Sequence, residues 1–354
     1  MRMGYVLAAL LTLMPAPTAN ATEAGDRRGR FNELARRYAE ATDPQASEDL
    51  LSELFAVVDV EVVDNLRSGG PFASAAFIQQ RLEAFSEDWG GVTFLAVQPE
   101  RGGPDATTLL AITVTRAEPR GSLRIYGRGG GAVSLLTATL RDGALALHAW
   151  PRRREGATQL LVSWEGAPTG RGSRLLHLEL WQLDARAGAR RVWSSDGLFP
   201  EGLWAIAFDV TRGQFSERHE ARYPGWTSGC AGQTEEEDAY RQPPAGEAPV
   251  LTRRRVRNGW HRELHAAVAR LLAALGTDDA RALAELVPNG AVRARLPRAL
   301  ELEPACDERV PAPAGTVIVA AATRGGEPPL IPWSLTWRRG PRGWRLAAVS
   351  PVLK

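Results

Sequence analysis

Residues 174–183 read Arg-Leu-Leu-His-Leu-Glu-Leu-Trp-Gln-Leu, and the period of that stretch sets the class of the fold. Successive side chains of an extended strand point to opposite faces. Leu176, Leu178 and Leu180 therefore take one face, and His177, Glu179 and Trp181 the other. The same period of two runs outward from about Val92 to Tyr223, with candidate strands at 92–97, 107–115, 122–127, 132–140, 144–150, 158–165, 174–183, 190–195, 203–210 and 214–223. Arg141-Asp142-Gly143, Ser195-Asp196-Gly197 and Arg212-Gly213 supply turn chemistry between them. Short strands joined by tight turns predict a central antiparallel meander over 92–228, closed as a sandwich or a barrel.

The flanks change period. Over 22–91, Phe31, Leu34, Ala35 and Tyr38 recur at helical spacing, as do Leu50, Leu51, Leu54, Phe55 and Val58, and then Phe77, Ile78 and Leu82. Three helices are expected, the second capped by Ser47, with the β-branched run Val57 to Val63 also compatible with a strand. Residues 229–257 hold Glu235-Glu236-Glu237-Asp238, Pro243-Pro244 and Arg253-Arg254-Arg255, and read as a polar, solvated connector. Beyond it, Leu264, Val268, Leu271, Leu272 and Leu275 form a helical stripe closed by Gly276. Thr277 is placed to cap a second helix, and strands are expected near 291–296, 316–323, 331–338 and 343–350. The whole is an α+β chain: a helical N-terminal segment, a central antiparallel β region and a small C-terminal α+β domain over 258–354.

Two helices followed by an antiparallel sheet that closes on Trp344-Arg345-Leu346 resemble the nuclear-transport-factor-like (SnoaL-like) cone fold over 258–354. The proline-rich stretch from Pro297 to Pro313 departs from it. The resemblance implies a cone whose interior is a ligand pocket, used by enzymes in some members and by binding proteins in others. No residue role is carried over from it.

The N-terminus has the layout of an export leader. Arg2 precedes an apolar run from Tyr5 to Met14, then Pro15 and Pro17, then Ala19-Asn20-Ala21. Cleavage is expected after Ala21, leaving residues 1–21 as a signal peptide. That run is too short to cross a bilayer of roughly 30 Å, and no later stretch is long enough, so no membrane span is expected. In an oxidising compartment Cys230 and Cys306, the two cysteines of the chain, are expected to pair. The exported protein is placed in the periplasm or outside the cell.

Composition removes several chemistries. The net charge of +2 gives no bias toward nucleic acid. Lys354 is the one lysine among 43 basic residues, so a Walker loop, a Schiff-base amine and a Ser-Lys hydrolase all lack a candidate. The glycines from Gly127 to Gly131 precede a strand-like segment, not the helix that a phosphate cradle needs. No cofactor is expected.

Few constellations remain. His261 and His265 stand at i, i+4 on a helix, a spacing that can ligate zinc, but Glu263 points to the opposite side, and a packed helix start is the plainer reading. On the β region, His177, Glu179 and Trp181 share a face, as do Phe215, Glu217, His219 and Tyr223. Convergence of these faces would give an aromatic-walled site with Glu179 or Glu217 as acid or base beside His177 and His219. Eleven tryptophans exceed the nine phenylalanines, and flat indole faces stack on sugar rings. Trp181 and Trp226 are the candidate exposed platforms, whereas Trp164 and Trp204 alternate in phase with apolar neighbours and read as core. The expected role is a non-catalytic binding or scaffolding module of the bacterial cell envelope, with an envelope protein or glycan as partner. The alternative is a glycan-binding or glycan-hydrolysing protein that uses the aromatic, His and Glu face.

Overall fold

The computed structural model describes residues 19–98, 107–129, 131–151, 158–169, 172–184, 188–200, 202–211, 213–243, 248–310, 313–323 and 331–352. Residues 1–18, which carry most of the expected leader, lie outside that set. The chain is α+β, with helices first, antiparallel sheets in the centre and a further sheet at the C-terminal end. The described residues form two compact units: those within Met1–Leu147, Arg152–Trp164 and Trp181–Arg191, and those within His148–Pro151, Glu165–Leu180 and Val192–Lys354.

The first unit opens with helices α1 (Ala19–Glu40), α2 (Pro44–Ser68) and α3 (Ala75–Ser86). Asp43, not Ser47, caps α2, with Pro44 at the first helical position, where its missing N–H costs nothing. The β-branched run Val57 to Val63 stays helical because Val58 and Val62, one turn apart, both reach the core. Strands β1 (Val92–Val97), β2 (Thr108–Thr115), β3 (Pro119–Gly129) and β4 (Ala132–Asp142) follow as a four-stranded antiparallel sheet in chain order. Both faces of β2 and β3 are covered. Leu110, Ile112, Val114 and Tyr126 meet the helices through Phe31, Leu54, Leu82 and Phe85. Leu109, Leu123 and Ile125 meet Leu160, Val162 and Trp164 of β6 (Thr158–Glu165) and Trp181 and Leu183 at the end of β7 (Arg174–Asp184). That second contact is sheet on sheet.

In the second unit the strand order is β12-β11-β10-β9-β7, all antiparallel, with β9 (Leu203–Thr211), β10 (Gln214–Glu220), β11 (Glu235–Arg241) and β12 (Val250–Arg257). Two of these strands lie in the segment expected to be a solvated connector, and the reason is charge. Antiparallel register sets Glu235 opposite Arg257, Glu237 opposite Arg255 and Asp238 opposite Arg254, so the acidic and basic runs neutralise each other across the ladder. Glu236, Asp238 and Tyr240 point inward and the arginines line an exposed edge strand.

Helix α4 (Gly259–Gly276) then packs Leu264, Val268 and Leu271 against Val317, Val319, Leu335, Trp337 and Leu346 of an antiparallel sheet. That sheet runs β13-β15-β16-β17, with β13 (Glu301–Leu302) as a short edge and β15 (Thr316–Thr323), β16 (Ile331–Gly340) and β17 (Gly343–Pro351) as its long strands. Asp279 caps α5 (Ala280–Leu286) in place of Thr277. The strand expected near 291–296 is instead the short helix α6 (Gly290–Arg293), because the Asn289 side chain accepts the first free N–H groups of a helix.

Candidate functional site

The candidate residues fall into four places. The first is β7, where His177 Nε2 lies 3.2 Å from Glu179 Oε1 and His177 Nδ1 lies 2.6 Å from Asp196 Oδ1 on the turn Ser195–Gly197. Glu179 is fully buried. Trp181 is buried, packed with Leu109, Leu123, Ile125 and Trp164, so it is no exposed platform.

The second place is β10. His219 Nδ1 is 2.7 Å from Glu217 Oε2, with the Phe199 ring edge-on to His219. Across the ladder from Glu217 stands buried Asp238, already bound by Arg254 at 2.8 and 2.5 Å and by the Tyr240 hydroxyl at 3.3 Å. Burial pushes the Glu217 carboxyl above its ordinary range, against the pull of the His219 hydrogen bond. Glu217, His219 and Asp238 are close enough to share an ion, but Arg254 holds Asp238, so this cluster is closed by an internal cation.

The third place gathers the helical histidines. On α4, His261 and His265 stack with ring centroids 4.5 Å apart, and both Nε2 atoms converge on one oxygen, Asp307 Oδ2, at 2.9 and 2.7 Å. All three side chains are about 95% buried. A donor chain organises the pocket: the Thr234 N–H donates to the Tyr223 hydroxyl at 3.1 Å, and that hydroxyl lies 2.5 Å from His261 Nδ1. His265 Nδ1 is buried without a hydrogen-bond partner among the described residues. It abuts Gly225, whose φ of +91° suits glycine and where a Cβ would stand 1.8 Å from that nitrogen. Cys306, joined to Cys230 as expected, fixes the loop that carries Asp307. Hydrogen bonds from the two histidines hold the Asp307 carboxyl below its ordinary value although burial opposes them.

The fourth place is a surface stack. Arg222 is exposed, and its guanidinium lies 4.6 Å from the Trp204 ring and 4.7 Å from the Trp226 ring. Trp226, expected to be an exposed platform, is half-buried. Trp204 is also half-buried rather than core, since Leu203 and Ala205 take the inward positions of β9.

Sequence reasoning missed Asp307, Asp238 and Arg222. Asp307 follows Cys306 directly, so the expected disulfide already carried its chain position next to the Cys230 loop. No protein-family model matches this chain, and no curated protein matches it in sequence.

Proposed function

We propose that this chain is an exported, non-catalytic binding or scaffolding module of the bacterial cell envelope, and that Trp204, Arg222 and Trp226 hold its partner. The carrying observation is Arg222: an exposed guanidinium clamped between two indoles and without a carboxylate partner among the described residues. A guanidinium so fixed loses little freedom on binding and presents its fork to a carboxylate or phosphate. The partner is an envelope glycan or protein that bears such anions. Export rests on the leader reading of residues 1–21 and on the Cys230–Cys306 bond. No helix among the described residues is long and apolar enough to cross a membrane. The cone reading of 258–354 is supported by the packing of α4 and α5 on the sheet.

The test is co-sedimentation of the exported, processed chain with isolated cell-wall sacculi, with the supernatant assayed for released sugar and the N-terminus read by mass spectrometry. The expected result is retention in the pellet, no sugar release, an N-terminus at Thr22, and retention weakened about tenfold by Arg222→Ala. Sugar release would make the protein an enzyme. Equal retention by Arg222→Ala would remove the stack as the site.

A further inference from the structure

We infer that His261, His265 and Asp307 form a zinc site, with two imidazole nitrogens and one carboxylate oxygen as its protein ligands. The site adjoins the Trp204–Arg222–Trp226 surface through the segment 222–226, but the inference does not depend on the function proposed for that surface.

Three observations point the same way. Donor atoms of the three side chains lie within 4.8 Å of one another, and imidazole with carboxylate is a ligand set for zinc rather than for calcium or magnesium, which take all-oxygen shells. The i, i+4 placement on α4 turns both rings the same way, so both Nε2 atoms aim at a single point. The outer contacts are those of a metal-binding histidine, whose far nitrogen is oriented by a hydrogen bond. Here His261 Nδ1 is oriented by Tyr223, which Thr234 fixes in turn.

Coordination carries a definite proton arrangement. Without metal, the bonds are satisfied when each Nε2 carries its proton toward Asp307 and Tyr223 donates to His261 Nδ1. Zinc takes the Nε2 lone pairs, so each ring keeps one proton and moves it to Nδ1. The Tyr223–His261 bond then reverses, and the Tyr223 oxygen accepts from both His261 and the Thr234 N–H. Three protein ligands leave a fourth tetrahedral position for water. The ion ties the start of α4 to the loop that Cys306 anchors.

The experiment uses the full chain, stripped with chelator, titrated with zinc chloride by calorimetry and counted for metal after gel filtration, with calcium and magnesium chloride as controls. One zinc per chain is expected, and neither control should bind. His265→Gln and Asp307→Asn should weaken zinc binding a hundredfold or more, and Tyr223→Phe about tenfold. No saturable zinc uptake by the unaltered chain overturns the inference, as does unchanged affinity in a folded His265→Gln variant. Should those variants not fold, zinc-edge X-ray absorption of the unaltered chain decides: two imidazoles and oxygen support the site, and any shell without two imidazoles overturns it.

Discussion

The two units neutralise their buried carboxylates with different bases. In the first, Asp59 accepts from Arg124 through both Nε (2.5 Å) and Nη2, and from the Tyr126 hydroxyl at 2.7 Å. Two residues on along α2, buried Glu61 accepts from Arg27 and Arg81, each at 3.0 Å. In the second unit, Glu179 faces His177, Glu217 faces His219, and Asp307 faces both His261 and His265. A guanidinium is charged throughout the physiological range and has no lone pair to give, so an arginine-closed carboxylate is a permanent structural pair. An imidazole titrates near neutrality and can offer a lone pair to a metal. Even Arg124, whose charge burial opposes, is held above its ordinary pKa by its hydrogen bonds to Asp59. The chemistry open to exchange is therefore concentrated in the second unit, where arginines close Asp238 (Arg254) and Glu236 (Arg254 and Arg262) but not the three histidine-paired carboxylates.

The largest expected effect breaks the comparison on the second unit's side. Replacing Cys230 and Cys306 together by Ser opens a loop of 76 residues and should cost about 4 kcal/mol in the chain-entropy account. Denaturant unfolding measures the loss, and hydrogen exchange should locate it around 223–234 and 303–309. Next comes the first unit. Asp59→Ala strands the Arg124 guanidinium and the Tyr126 hydroxyl, both buried, and should destabilise by about 3 kcal/mol. The smallest effect sharpens the contrast in pH. Burial lowers the pKa of His148, against the opposing charge of Glu165, from an ordinary value of 6.5. A depressed folded-state pKa means that its contribution is full above pH 6.5 and is lost as the pH falls through the lowered value. His148→Asn should therefore flatten the acid limb of a melting-temperature profile slightly, since the half-buried ring is partly screened by solvent.

The legibility of the chain followed the range of the interactions that decide it. Local periods were readable: the alternation over 174–183 and the stripe from Leu264 to Leu275 gave a strand and a helix at those positions. The disulfide was readable from compartment and count. Strands β11 and β12 were hidden because each segment alone is polar, and they form a ladder through charges that meet across the register. Trp181 was misread because period two separates the faces of a strand without saying what covers each, and here a second layer covers the face taken as open. Asp307 was hidden by its irregular, proline-rich neighbourhood, which has no period to read.

The most direct test of the contrast between the units is hydrogen exchange on the full chain with and without zinc. The account predicts added protection in three segments of the second unit, at 223–234, 259–268 and 305–309, and none around Asp59 and Arg124. Protection spread evenly over both units, or no change anywhere, would contradict it.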